Sequence, residues 1–310
     1  MNRSTSQRLR ILFVHTALLL IASGIPLAVE GSELASGKYS VTQSWSQEKS
    51  YKRPYYVNVP RRRNAQKLPV FLFLHGNGGN PQGAMHGFLR RHPTIASRYI
   101  TVFPEGYLKS WNIVSERSQA DDRGFIESII QSLSAYDNVQ ADNVSIMGSS
   151  NGSALVNQLL IECKLKNIRN YVAVVSPLNV FQHDGKNFKA KGVNNNYQKT
   201  TTPLAGKRIL SVSGTEDPLV PYRGGLSRGI PAKRGKLGFV PAETSIFLWA
   251  KAMGYQGRQL DRPSRTMANL AIYSYLDGDV VHYKVNGEGH GAGRALDEAT
   301  LLRFLENKKP

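Results

Sequence analysis

The sequence predicts an α/β fold, with a mainly parallel central sheet and helices on both faces. Three observations predict it. Short continuous apolar runs such as VFLFL (70–74) have the length and composition of strands buried on both sides. Segments such as 121–135 place apolar residues at three- and four-residue spacing, as an amphipathic helix does. The two kinds alternate along the chain, the order expected when helices cross over between parallel strands.

The elements follow in order. Arg3, Arg8 and Arg10 precede an apolar run from Ile11 to Ala22, broken only by His15 and Thr16. The run is short for a membrane span, and small residues follow at Ala22, Ser23, Gly24, Ala28 and Gly31. Residues 1–31 are therefore expected to be an export signal cut between 24 and 31, leaving no transmembrane anchor, and an uncleaved N-terminal anchor is the alternative. The expected location is secreted or periplasmic. Residues 32–310 make one domain. Residues 37–50 are polar and read as an edge hairpin or loop, and RPYYVNVP (53–60) as a strand. Arg61, Arg62, Arg63 and Lys67 then form a charged turn before VFLFL. ITVF (100–103), VSIM (144–147), YVAVV (171–175), 209–212, 272–275 and 280–285 complete the strands. Helices are expected at 121–135, 151–162, 243–253 and 295–305. Residues 179–207 and 223–236 break the alternation. Both are polar, basic and glycine-containing, as lids and binding loops often are.

Composition bounds the function. The 310 residues are 41% hydrophobic, enough for a core, and carry a formal net charge of +18. Loss of residues 1–31 would remove three Arg and one Glu and leave +16. Such a charge favours anionic partners, but the basic residues are scattered, which reads as a solvated basic surface and not as a specific nucleic-acid site. The lone cysteine, Cys163, excludes an internal disulfide and reads as a small buried hydrophobe. No spaced ligand cluster points to a metal, and no cofactor is expected.

The sharpest local signal is Gly148-Ser149-Ser150-Asn151-Gly152, a G-x-S-x-G between a buried strand and a helix. That context is the nucleophile elbow of the α/β-hydrolase fold: a tight turn pushes one hydroxyl out of the sheet edge beside a helix N-terminus. Ser150 is the candidate nucleophile. It needs a base, and the fold orders the chain as Ser, then acid, then His. Of His183, His282 and His290, only His290 lies in a glycine-rich turn (GEGHG, 287–291) after the last strand. His282 sits inside VVHYKV, and His183 precedes every late acid. Asp217, following the strand RILSV, is the candidate acid, with Glu216 as the alternative. Backbone N–H groups of Asn151, and of Asn77 or Gly78 in HGNGG, are the candidate oxyanion donors.

Together LHGNGG (74–79), SWN (110–112), DDRGF (121–125), NVSIMGSSNGS (143–153), GTEDPLVPYRGG (214–225) and GEGHG (287–291) resemble the polyhydroxybutyrate-depolymerase-like and feruloyl-esterase-like serine esterases. They occur in the family order and cover most of the chain from about residue 54. The resemblance implies Ser150, Asp217 and His290 as the triad, a carboxylic ester as substrate, polymeric (polysaccharide-linked or polyester) or small, and a pocket near His75, Trp111 and Asn112. Two positions depart from the pattern. The family often has a cysteine beside the Trp-Asn pair where this chain has Ser110. It often has aromatic and proline residues after the histidine, where this chain has Gly291-Ala292-Gly293-Arg294. Two other readings share these residues: an inactive hydrolase-fold protein that binds anionic polymer, and a peptidase or acyl-peptide hydrolase.

Overall fold

The computed structural model describes residues 31–61 and 66–307. The expected export signal and part of the Arg61–Lys67 turn lie outside them. Twelve strands and six α-helices follow in chain order: β1 (Gly37–Trp45), β2 (Glu48–Asn58), β3 (Leu68–Leu74), α1 (Pro81–Arg91), α2 (Pro93–Arg98), β4 (Ile100–Pro104), α3 (Asp122–Leu133), β5 (Val139–Ser149), α4 (Asn151–Glu162), β6 (Ile168–Val174), β7 (Arg208–Gly214), β8 (Gly225–Pro231), β9 (Lys236–Phe239), α5 (Ala242–Ala252), β10 (Arg265–Met267), β11 (Leu270–Tyr275), β12 (Val280–Val285) and α6 (Glu298–Leu305).

Ten strands form one sheet in the order β1-β2-β4-β3-β5-β6-β7-β12-β11-β10. The run from β4 to β12 is parallel, and antiparallel pairs flank it on both sides. Parallel strands send all their carboxyl ends to one edge, so the loops after β3, β5, β7 and β12 emerge together. Both faces are covered. Phe125 and Ile129 of α3, Leu155 and Leu159 of α4, and Ile246 and Trp249 of α5 belong to one buried cluster. Phe88 of α1, Ile95 of α2, and Leu301 and Phe304 of α6 belong to the other, with Phe71, Val172 and Val212 of the sheet.

Several expectations are corrected. A helix, α1, follows HGNGG directly. Its start is written in Asn80-Pro81: the Asn80 side chain accepts the Gly83 N–H at 2.8 Å, and proline stands at the first helical position. Residues 223–236 are not irregular, because β8 and β9 pair antiparallel across them. Residues 179–207 lack regular strands but are fastened down. The Tyr197 hydroxyl donates to the Ile113 carbonyl at 2.7 Å, Gln182 donates to the Ala154 carbonyl at 2.8 Å, and Phe188 stacks on Trp249 with centroids 4.4 Å apart. Cys163 is buried, and desolvation pushes its thiol up to about 12, where it stays protonated at neutral pH.

His282 of β12 is a buried strand side chain. Its Nδ1 lies 2.7 Å from the Ser211 hydroxyl and its Nε2 3.1 Å from the Tyr222 hydroxyl. Burial pulls its pKa from 6.5 down to about 4, so the fold prefers the neutral ring. The folded value lies below the unfolded one. The stability this contributes is therefore present above pH 6.5 and is lost as pH falls toward 4. The full shift corresponds to on the order of 3 kcal/mol. Urea midpoints should fall steeply over that window. His282→Gln should start lower at neutral pH and lose less on acidification. Parallel acid profiles would count against a buried neutral His282.

Candidate active site

The elbow geometry explains its glycines. Ser150 sits between β5 and α4 with φ 53° and ψ −117°, a strained conformation that aims the side chain off the sheet edge. A Cβ at Gly148 would lie 2.2 Å from the Gly152 carbonyl oxygen, and one at Gly152 would lie 2.3 Å from the Leu74 oxygen. The backbone of α4 thus presses against both β5 and the end of β3. The Ser150 N–H donates to the Val174 carbonyl at 2.9 Å, which ties the turn to β6.

The loops after β7 and β12 are knitted to each other. The Glu216 N–H donates to the Glu288 carbonyl at 2.9 Å, and the Gly287 N–H to the Thr215 hydroxyl at 2.9 Å. Gly214 has no room for a side chain, since its Cβ would stand 2.2 Å from the Glu288 oxygen. This contact carries His290 back over the sheet edge. His290 Nε2 lies 2.9 Å from Ser150 Oγ, and Nδ1 lies 2.6 Å from Asp217 Oδ2. The buried Asp217 carboxylate also accepts the N–H groups of Leu219 at 2.8 Å and Val220 at 3.0 Å through Oδ1. Of the two late acids, Asp217 therefore faces the imidazole, while Glu216 is exposed. The structure brings Ser150, His290 and Asp217 into one hydrogen-bonded chain.

The loop after β3 runs beside the elbow: a Cβ at Gly76 would be 3.5 Å from the Ser150 Cβ. Gly78 spends its N–H on the Lys109 carbonyl at 2.8 Å, and Gly79 on Gly76 at 3.0 Å. Between Asn77 and Gly78, this leaves Asn77 as the candidate donor from the loop. The Asn151 side chain fixes the neighbouring segment. Its Oδ1 accepts the Trp111 N–H at 2.7 Å, and its Nδ2 donates to the Trp111 carbonyl at 3.1 Å and to Glu116 Oε1 at 3.2 Å. Burial raises the Glu116 pKa, opposed by backbone N–H groups that include Val114 and Ile113.

The expected pocket residues His75, Trp111 and Asn112 do not line a substrate face. Trp111 is 0% exposed, and its indole N–H donates to the His75 carbonyl at 2.8 Å. Asn112 is 4% exposed. Its backbone N–H donates to Asp122 at 2.6 Å, and its side chain donates to the Ala120 carbonyl at 3.1 Å and accepts from Asn195 at 2.6 Å. Asp122 in turn pairs with Arg53 at 2.6 Å, both fully buried, and the guanidinium lies 3.9 Å from the Phe125 centroid. His75 accepts the Gly106 N–H at Nε2 (3.1 Å), and its Nδ1 lies 2.8 Å from the Gly76 carbonyl. Both contacts are satisfied by a neutral ring protonated at Nδ1, and burial lowers its pKa accordingly. These three residues brace the loops from beneath.

Sequence reasoning missed the open space beside His290. A groove of about 300 Å³ lies between α1 and the His290 loop, floored by Phe73, Phe88, Met147 and Val174 and flanked by Arg91 and Arg294. Its walls come from separate segments. Among the described residues no His, Cys, Asp and Glu group could hold a metal ion, and no helix is long and apolar enough to cross a membrane.

Fold and site together define the class: the chain has the α/β-hydrolase fold. No protein-family model and no curated protein sequence matches it. Among solved structures it is similar to an acetyl xylan esterase from Aspergillus awamori, at 11% identity and TM-score 0.58, over 87% of this chain and 99% of that one. It is also similar to a thermostable esterase, at 13% identity and TM-score 0.54, over 88% of this chain. The match spans 63% of that esterase's length.

Proposed function

We propose that the protein is an exported serine carboxylic-ester hydrolase. The observation that carries the proposal is the continuous path from Ser150 through His290 to Asp217. A serine hydroxyl beside an imidazole oriented by a carboxylate is the arrangement that acyl transfer needs. Ser150 Oγ would attack the ester carbonyl carbon while its proton moves to His290 Nε2. Asp217 holds Nδ1–H and stabilises the imidazolium without taking the proton. The N–H groups of Asn151 and Asn77 would receive the carbonyl oxygen as it becomes negative, each worth about 3 kcal/mol in the transition state. Collapse breaks the bond to the alcohol oxygen, which leaves with the proton from Nε2. Water then repeats the attack on the acyl-enzyme and frees the acid and Ser150.

Export is supported by the charged and apolar N-terminal pattern. The motif resemblance favours a depolymerase-like or feruloyl-esterase-like substrate range, and the two structural neighbours described above are esterases by name. The test is a matched panel of short-chain, feruloyl and polymeric esters with amide counterparts. Turnover of esters well above the amides is expected. Faster amide cleavage would replace the esterase reading with a peptidase, and salt-sensitive polymer binding without turnover would replace it with a binding protein.

A further inference from the structure

We infer that the groove beside His290 selects esters whose alcohol half carries a carboxylate, an inference that rests on the esterase reading above. The groove begins beside the catalytic histidine, because His290 and Ser149, the residue before the nucleophile, form part of its wall. Neither candidate oxyanion donor, Asn77 or Asn151, lines it. That asymmetry assigns the two halves of the ester. The carbonyl oxygen must lie toward the donors, and the leaving oxygen must lie toward the proton on His290 Nε2. The group beyond the leaving oxygen therefore enters the groove.

The chemistry of the walls names the kind of alcohol. Phe73, Phe88, Met147 and Val174 provide an apolar floor, and the Phe73 and Phe88 rings are 5.5 Å apart. This suits an aryl or compact aliphatic body. Two cations flank it. Arg91 and Arg294 have no carboxylate of the described residues within ion-pair distance, although other exposed arginines such as Arg98 and Arg169 do. The Arg294 guanidinium folds back toward the catalytic loop, with one nitrogen 2.9 Å from the position of a Cβ on Gly291. A side chain at 291 would displace it, and one at 293 would strike Val174 at 2.4 Å. The glycines that replace the aromatic segment thus keep an arginine beside His290. In the same wall His92 is 3% exposed, and its Nδ1 has no hydrogen-bond partner. The formal charge of +18 would steer the same anion inward from a distance. The carboxylate is a spectator in the reaction: water supplies hydroxyl to the acyl carbon and a proton to the leaving oxygen.

The test compares kcat/KM for 4-acetoxybenzoate and 4-acetoxybenzamide, which share an acyl group and differ in the charge on the alcohol half. The wild type should prefer the anion, and added salt should weaken the preference. Arg91→Gln combined with Arg294→Gln should reduce the anion-to-amide ratio about tenfold, since each exposed charge contact contributes modestly. The ratio is the readout because any loss common to both substrates cancels. A second pair, 4-nitrophenyl hemisuccinate and 4-nitrophenyl pentanoate, places the charge on the acyl half and should show no comparable preference. Equal turnover of the first pair, or an unchanged ratio in the double variant, would overturn the inference and leave the esterase reading standing. A marked preference for the hemisuccinate would overturn the placement of the alcohol half. Failure of the folded protein to hydrolyse any of the four, the neutral esters included, would remove the esterase reading and this inference with it.

Discussion

Ser150→Ala is expected to lower kcat for ester hydrolysis by about 10⁶-fold, the loss seen when the nucleophile of a working triad is removed. The substitution deletes the hydroxyl that, among the described residues, hydrogen-bonds His290 Nε2 and is placed for attack. It leaves the rest of the elbow in place. Alanine has the same Cβ as serine, so the strain at φ 53° is unchanged, and the contacts of Gly148 and Gly152 are untouched. Folding stability should therefore stay within about 0.5 kcal/mol of the wild type. Thermal melts beside the kinetic assay separate the two effects. A variant that keeps more than about one-hundredth of the activity would show that another group attacks the ester.

Asp217→Asn should cost about 10⁴-fold in kcat at neutral pH with little change in fold. The direction follows from which atoms are already committed. Oδ1 accepts two backbone N–H groups, from Leu219 and Val220, and an amide NH₂ cannot take that place. The asparagine oxygen must stay there, so its NH₂ faces His290 Nδ1. An imidazole that accepts at Nδ1 carries its proton on Nε2, where it can no longer take the proton of Ser150. Asp217→Ala makes the complementary test, because it frees both N–H groups as well as the imidazole. It should lose activity similarly and also lower the melting temperature. Near-wild-type kcat for Asp217→Asn would mean that a different acid, such as Glu216, orients His290 in solution.

These two variants concern the part of the site that was most legible in the sequence. The elbow is legible because its constraint is local: two glycines must flank the serine, since α4 crosses within van der Waals contact of β3 and β5. The acid and the histidine are legible because parallel strands deliver their following loops to one edge in a fixed chain order. The apolar strands at 70–74 and 144–147 announced themselves by composition alone.

What was not legible depends on contacts between distant segments. Trp111 and Asn112 stand in sequence where a pocket wall could be, but the Asn151 amide and the Arg53–Asp122 pair draw them into the interior. His75 follows the same logic, since the Gly106 N–H that fixes it comes from the far side of β4. The β8–β9 hairpin was hidden by its glycines, its proline and an irregular register, which blur the alternation of a strand. Helix α1 carried a clear start signal in Asn80-Pro81 and a short apolar stripe of Ala84, Met85, Phe88 and Leu89, but its glycines and polar residues keep its mean hydropathy low and blur that stripe. The groove beside His290 is assembled from five separate stretches and has no single motif to betray it.

The central claim is that Ser150 is a nucleophile activated by His290. The most direct measurement is labelling of the folded protein with a fluorophosphonate probe, followed by mass spectrometry of the modified peptide. The expected result is one modified residue, Ser150, with labelling abolished in Ser150→Ala and strongly slowed in His290→Gln. No labelling of the folded wild type, or modification of Ser149 or another serine in its place, would contradict the claim.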